Sequence, residues 1–215
     1  KIVFDSLAIG MSPFLMNLAA CFIVIIINQG LKKYGGDLAI GAFGIVNRLV
    51  FIVVMIVMGL NQGMQPIAGY NFGAKLYGRV NKVLRLTIIY ATVVTTFGFL
   101  VGMLVPDLVV GIFTSDAELT ELSVTGLRIT VMFFPIIGFQ MVTSNFFQSI
   151  GMAGKAIFLS LTRQMLILLP CLLVLPQFFG VAGVWYSMPV SDLLASLIAL
   201  VMLVCQFRKF RTSPL

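Results

Sequence analysis

Asp192 is the residue whose type and position most directly suggest chemistry. It lies about eleven positions into an apolar segment that begins near Val181, which would place its carboxyl group near the middle of a bilayer. A carboxylate at that depth could carry a proton or a cation, or balance the charge of a cationic substrate. The alternative is a structural role, either in an ion pair with Arg48 or Arg128 or as an acid that stays protonated. Both interpretations stay open.

Other polar and methionine side chains recur at helical spacing inside the apolar segments, in four stripes. Their members are Asn17, Cys21, Val24 and Asn28; Met55, Met58, Gln62, Gln65 and Gly69; Gln140, Ser144, Gln148 and Gly151; and Trp185, Met188, Asp192 and Ser196. Amides and hydroxyls can hold neighbouring membrane helices together by hydrogen bonds. Four aligned stripes that include the adaptable side chain of methionine favour a shared, water-filled cavity. Since a cavity wall is also a helix interface, the two interpretations are compatible.

The composition excludes most catalytic chemistry. The sequence has no histidine, the side chain most often used for acid–base work near neutral pH. Its three cysteines, Cys21, Cys171 and Cys205, lie in separate apolar runs without CxxC spacing, so we expect no metal site. An intramembrane aspartyl protease needs two membrane aspartates, and the serine type needs histidine. We therefore predict that the protein is not an enzyme and has no cofactor.

Apolar runs long enough to cross a membrane fill the sequence. Of its 215 residues, 60% are hydrophobic and 10% are charged, whereas soluble domains are about 45–50% apolar and about 25% charged. The charges, and a turn predicted at 176–180, divide the chain into segments of the length a bilayer requires. We predict an all-α polytopic membrane protein with six transmembrane helices, at about 6–31, 39–68, 84–106, 121–149, 156–175 and 181–207.

The distribution of basic residues predicts the orientation of these helices. With six spans, ten basic residues fall on the side of both termini and at most four on the other, so both termini should be cytoplasmic. The ten include those of a basic tail at 208–215. The basic residues are not interleaved with aromatic ones, so we expect no nucleic acid partner. The expected location is the bacterial inner membrane, and a sequence that starts at Lys1 is expected to be part of a longer chain.

Prolines within or near the ends of the predicted helices indicate bends. Each removes a backbone hydrogen bond, and bent helices are the movable elements of many transporters. The positions are Pro13, Pro66, Pro135, Pro170 and Pro189.

A motif in the second predicted helix resembles a known family. The segment Gly59–Lys75 reads GLNQGMQPIAGYNFGAK and is similar to a helix end of the multidrug and toxic compound extrusion (MATE) transporters. Further similarities follow in order along the chain and are closest to the MepA-like branch. They are IGMSPFLMN at 9–17, GIFTSDAEL at 111–119, FFPIIGFQMVTSNFFQSIG at 133–151, LTRQMLILLP at 161–170 and GVAGVWYSMPVSDLL at 180–194.

The resemblance implies one six-helix lobe of a twelve-helix transporter. This chain would be the C-terminal lobe, with the N-terminal lobe of the same polypeptide as its partner. The residues that match the family pattern are Gln65, Pro66, Gly69, Asn71, Gly73, Ala74, Gln148, Gly151, Arg163, Gln164, Trp185, Pro189 and Asp192.

The family exports mostly cationic, amphipathic compounds against a sodium or proton gradient. Some members look to carry cation-binding acids in the first and fourth helices of this lobe, but the matching positions, Met16 or Asn17 and one near Phe139, are not acidic. The coupling acid would then lie in the other lobe or be Asp192.

The leading hypothesis is a secondary antiporter that exports cationic compounds by alternating access. No GxxxxGK[ST] loop is present, so an ion gradient would supply the energy. The alternatives are a lipid-linked saccharide flippase of related fold, for which only Arg48 and Arg128 could bind pyrophosphate, and a non-transporting scaffold. The candidate pathway residues are Asn17, Asn28, Arg48, Gln62, Gln65, Gln140, Ser144, Gln148, Met188 and Asp192.

Overall fold

The computed structural model is helical throughout the part of the chain that it describes. It describes the backbone of residues 2–212 and the side chains of residues 14 and 17–207. Within that part there is no strand, which confirms the predicted all-α class. The helices are α1 (Ile2–Gly73), α2 (Tyr77–Leu104), α3 (Pro106–Gly111), α4 (Ala117–Val131), α5 (Phe134–Ser149), α6 (Ala153–Leu161), α7 (Leu169–Phe179) and α8 (Val181–Thr212), with a π-helical segment at Thr162–Leu168 between α6 and α7.

One residue interrupts α1. Gly36 has φ 67° and ψ −162°, a conformation that an L side chain rarely adopts, and the chain is helical on both sides of it. The sequence predicts a loop after Lys33, but a single glycine is enough to break the helix. The predicted spans 6–31 and 39–68 lie on opposite sides of this break.

The predicted fourth span, 121–149, consists of two helices. α4 and α5 meet at a bend of 55°, and Pro135 lies in the first turn of α5. A proline is tolerated in the first turn because the N–H it lacks would have no partner there. The bend predicted at Pro135 is therefore observed.

The predicted fifth span, 156–175, also differs in detail. The helical path runs from Ala153 to Phe179 through the π-helical segment, which ends two residues before Pro170. A wider π-helical turn next to a proline is consistent with the missing N–H of Pro170. The turn predicted at 176–180 is found only at its last residue: α7 continues through Pro176 to Phe179, and the chain turns at Gly180, where φ is 58°.

Two groups of buried apolar residues hold these helices together. In one, Trp185 of α8 packs against the ring of Phe43 in α1, with 5.9 Å between ring centroids, and against Gly126 of α4. In the other, Phe146 and Phe147 of α5 pack among residues of α1, α2, α6 and α8. The outer faces carry exposed apolar side chains, as expected for helices that face lipid.

Four helical stretches in the described part of the chain are long and apolar enough to cross a membrane. They are Asn17–Gly73, Tyr77–Leu104, Ala153–Phe179 and Val181–Phe207, and the bent pair α4–α5 makes a fifth if it forms one span. α8 continues past 207, so the predicted tail 208–215 begins inside a helix; residues 213–215, like Lys1, lie outside the described residues.

Candidate functional site

Asp192 forms an ion pair with Arg163 inside the helical bundle. Nε and Nη2 of Arg163 lie 2.8 Å and 2.7 Å from Oδ1 of Asp192, and the two side chains are 32% and 6% exposed. Nε donates a charge-assisted hydrogen bond, and Nη2 makes the shortest ion-pair contact; both interactions are strengthened where little water is present. The prediction of Arg48 or Arg128 as the partner is wrong, because the carboxylate pairs with Arg163, while both of those arginines are exposed.

The π-helical segment places Arg163 opposite α8. Ser191 Oγ donates to the backbone carbonyl of Arg163 at 3.4 Å, and Ser196 Oγ donates to the backbone carbonyl of Asp192 at 2.6 Å. A π-helical turn leaves carbonyl groups without their usual helical donor, and the hydroxyl of Ser191 offers one. Arg163 is one of the ten basic residues counted on the side of the termini. It lies inside Ala153–Phe179, a stretch long and apolar enough to cross a membrane, so it does not belong among the charges that predict the topology.

A cavity of about 230 Å³ adjoins this ion pair. Helices α1, α2, α4, α5 and α8 and the π-helical segment contribute its walls, which are mostly apolar. Asp192 is the acid among its lining residues, and the other polar members are Asn47, Thr95, Thr130, Arg163 and Ser191. Pockets for drug-sized ligands are about 300–1,000 Å³. This cavity therefore has room for ions, water or one end of a larger compound.

The four predicted stripes do not contribute equally to this cavity. Val24 from the first stripe and Met188 and Asp192 from the last line it. Two of the α5 residues are instead buried between helices: Ser144 Oγ lies 3.2 Å from Ser160 Oγ of α6, and Gln140 is buried as well. For these two residues, the structure supports the helix-interface interpretation.

The remaining pathway candidates lie along α1 and at the end of α5. Asn17, Arg48 and Gln62 are exposed, whereas Asn28 and Gln148 are partly buried. Gln65 Nε2 donates to Asn145 Oδ1 at 3.4 Å and so joins α1 to α5. Polar groups exposed on α1 need water or a protein partner in a membrane, because lipid offers them no hydrogen bonds.

The QPIAGYN motif forms the end of α1 and part of its contact with α5. A Cβ added to Gly69 would lie 3.0 Å from the carbonyl oxygen of Ser149, so this position lets α1 approach α5 closely. Asn71 Nδ2 donates to the carbonyl of Ile67 at 2.8 Å, and α1 ends at Gly73. Pro66 and Ala74 are exposed.

The other predicted signature residues belong to the second half of the chain. Trp185 and Pro189 are buried in α8, and Gln164 is partly buried in the π-helical segment, with Oε1 unpaired among the described residues. Gly151 has φ 78° and follows α5.

Sequence reasoning missed the partner of Asp192 and several polar residues of the cavity. A signal for the partner was present, since Arg163 is a basic residue inside the predicted span 156–175 and intramembrane charges usually pair. Thr95 and Thr130 gave no signal in the sequence. Each donates to a backbone carbonyl of its own helix, as threonines commonly do in membrane helices.

The MatE family model matches residues 11–173, which is more than half of the chain. The chain belongs to the MATE family. The multidrug export protein MepA of Staphylococcus aureus (strain MSSA476) is 29% identical over 192 residues, which are 89% of this chain and 42% of MepA. The chain therefore spans about half the length of the curated relatives it matches. These homologues are transporters of the MATE family, which are multi-pass membrane proteins.

Solved MATE structures share the fold. The MATE multidrug transporter DinF-BH is 34% identical, with a TM-score of 0.86 over 99% of this chain and 48% of DinF-BH. A multidrug resistance MATE transporter of the MOP superfamily matches in its outward-facing conformation with a TM-score of 0.88 at 18% identity over 95% of this chain and 46% of that one. A structure described as the inward-facing conformation of such a transporter matches with a TM-score of 0.88 at 19% identity, over 99% of this chain and 50% of that one.

Proposed function

We propose that this chain is the C-terminal lobe of a multidrug efflux antiporter in the bacterial inner membrane. It would pair with an N-terminal lobe of the same polypeptide and export cationic, amphipathic compounds in exchange for sodium ions or protons. The shares of DinF-BH and MepA that the chain covers, 48% and 42%, support its being one lobe of two. In this proposal α1 crosses the membrane twice, with its break at Gly36, which makes six spans with both termini in the cytoplasm.

The ion pair beside the cavity is the observation that carries the coupling mechanism. When Asp192 is ionised, its charge and that of Arg163 cancel. A proton or a sodium ion bound at Asp192 leaves one uncompensated positive charge next to the cavity. Two unit charges about 8 Å apart, at an effective dielectric constant of about 20, repel by about 2 kcal/mol, or ~30-fold in affinity. Ion binding would therefore expel a cationic substrate, and ion release would allow it to bind again.

Alternating access is supported by the two conformations that the lobe resembles. Its fold matches an outward-facing and an inward-facing structure equally well, with TM-scores of 0.88 for both. A lobe whose fold is the same in both states can move as a unit against its partner. The exposed polar residues of α1, Asn17, Arg48 and Gln62, would then face the cleft between the lobes.

The charge of the cavity disfavours a saccharide flippase. A pyrophosphate-linked substrate would require several unpaired basic groups. Among the lining residues Arg163 is the basic one, and it is already paired with Asp192.

The test is gradient-driven export of a fluorescent cation by the full-length transporter in proteoliposomes. Sodium and proton gradients are applied separately, which identifies the coupling ion. We expect D192N to abolish coupled export, while the matched control D107N, at the exposed start of α3, exports at the wild-type rate. The double variant R163Q/D192N removes both charges and so avoids an unpaired buried arginine. Wild-type export by either Asp192 variant would remove this residue from the mechanism.

A further inference from the structure

One face of α2 changes from basic to apolar along its length. Arg79, Lys82 and Arg85 are exposed near its start, and Lys75 precedes the helix. The sequence has no acidic residue between Asp37 and Asp107. Among the described residues, the ion pair that the structure contains is Arg163–Asp192, so these basic groups are not neutralised by carboxylates.

The same face continues as an exposed apolar stripe. Leu86, Tyr90, Val93 and Phe97 follow the basic residues at steps of three or four and are all exposed. The opposite face of α2, which includes Leu84, is buried against the rest of the bundle. A helix face that is basic at one end and apolar beyond it matches the profile of a membrane leaflet.

This stripe leads to a second cavity of about 230 Å³, which is lined mainly by α1 and α2 and closed by residues of α3, α4 and α5. Its walls are entirely apolar side chains and glycines, and its near end is formed by Ile56, Val94 and Phe97. Lys82 and Phe97 are fifteen residues apart, or about 22 Å along the helix. That distance is close to half of the roughly 40–45 Å thickness of a bilayer with its headgroups, which is the depth that one phospholipid reaches.

We propose that this face of α2 binds one anionic phospholipid. Arg79 and Lys82 hold the phosphate, and an acyl chain follows Leu86 and Tyr90 into the near end of the cavity beside Phe97. Basic residues at a membrane surface attract anionic headgroups, and guanidinium groups pair well with phosphate. The acyl chain gains little free energy from entering the cavity, because other lipid tails already surround it in the membrane. The basic residues therefore select the lipid by its headgroup, and the cavity fixes the position of the acyl chain. This proposal does not depend on the transport proposal.

The headgroup is tested by native mass spectrometry of the full-length protein. Equal amounts of phosphatidylglycerol and phosphatidylcholine with the same chains compete for binding. Each basic residue near a membrane surface contributes roughly fivefold, so R79Q/K82Q should lower the preference for phosphatidylglycerol about 25-fold. The control K32Q/K33Q removes two exposed charges elsewhere and should keep the preference. No loss in R79Q/K82Q, or an equal loss in both, would overturn the proposal.

The acyl chain is tested with a variant that narrows the cavity. I56W should reduce retention of phosphatidylglycerol with 16-carbon chains severalfold but leave the form with 8-carbon chains unaffected, because the shorter chains end before Phe97. The control V201W adds the same bulk at an exposed position of α8. Equal retention of both lipids by I56W and V201W would overturn the placement of the acyl chain in the cavity. The charge variants lie on the surface and need no repacking, so the headgroup test stands even where I56W folds poorly.

Discussion

Arg163 contacts Asp192 through two nitrogens that meet the same oxygen. Nε and Nη2 lie 2.8 Å and 2.7 Å from Oδ1, and Oδ2 accepts no hydrogen bond from the described residues. The pair joins the π-helical segment to α8, two parts of the chain that are 29 positions apart. Since one carboxylate oxygen is left over, the coupling ion of the proposed mechanism would bind at Oδ2 without first releasing Arg163.

Removal of the arginine alone should destabilise the protein. R163M leaves a buried carboxylate without a partner, which typically costs about 3–5 kcal/mol, whereas R163M/D192L replaces both charges with apolar groups and should recover most of that loss. The measurement is the apparent melting temperature of the purified protein. R128M changes an exposed arginine of α4 and serves as the control, with an expected effect within about 0.5 kcal/mol. If R163M melts at the same temperature as R128M, the pair contributes nothing to stability.

Trp185 requires a glycine opposite it. A Cβ added to Gly126 would lie 2.6 Å from two carbons of the indole ring, so Gly126→Ala must displace the ring from its contact with Phe43. Overpacking of this kind costs about 1–3 kcal/mol. The chain has one tryptophan, so its fluorescence in this lobe reports the displacement directly.

The control for this substitution is Gly44→Ala. Gly44 lies in α1 with nothing within 4 Å of an added Cβ, and alanine is the better helix former. The two variants should therefore differ in both melting temperature and emission spectrum. Identical spectra for both would contradict the packing.

The sequence predicted well what depends on local pattern and less well what depends on tertiary contacts. Composition and periodicity indicated the helical membrane class, and Pro135 indicated the bend between α4 and α5. Asp192 stood out because a carboxylate in an apolar segment is costly. Arg163 also carried a signal, as a charge inside a predicted span, but which intramembrane charges pair is decided by how the helices pack.

Two other differences between the prediction from sequence and the structure have physical reasons. Helical periodicity shows which face of a helix is polar, but not whether that face meets a cavity or another helix, and Ser144 meets Ser160. The π-helical segment inserts extra backbone into a turn, and this has no residue signature apart from the nearby Pro170.

The break in α1 should depend on Gly36 itself. With φ 67° and ψ −162°, this residue occupies a region that is essentially restricted to glycine, so Gly36→Ala should cost about 1–3 kcal/mol. The matched control is Gly63→Ala in the helical part of α1, where an added Cβ meets nothing within 4 Å. Melting temperatures of the two purified variants test this, and an equal or higher value for Gly36→Ala would show that the break does not require glycine.

The exposed polar face of α1 should be accessible to water in the full-length protein. Gln62 and Val93 are both exposed in this lobe, but an amide that faced lipid would lack hydrogen-bond partners. In a variant without native cysteines, which include Cys21, Cys171 and Cys205, Gln62→Cys should react with a membrane-impermeant thiol reagent at least tenfold faster than Val93→Cys, on the exposed stripe of α2 that we place in lipid. Ser144→Cys, buried against α6, should be as slow as Val93→Cys. Equally slow labelling at Gln62 would place that face in lipid and contradict its assignment to the cleft.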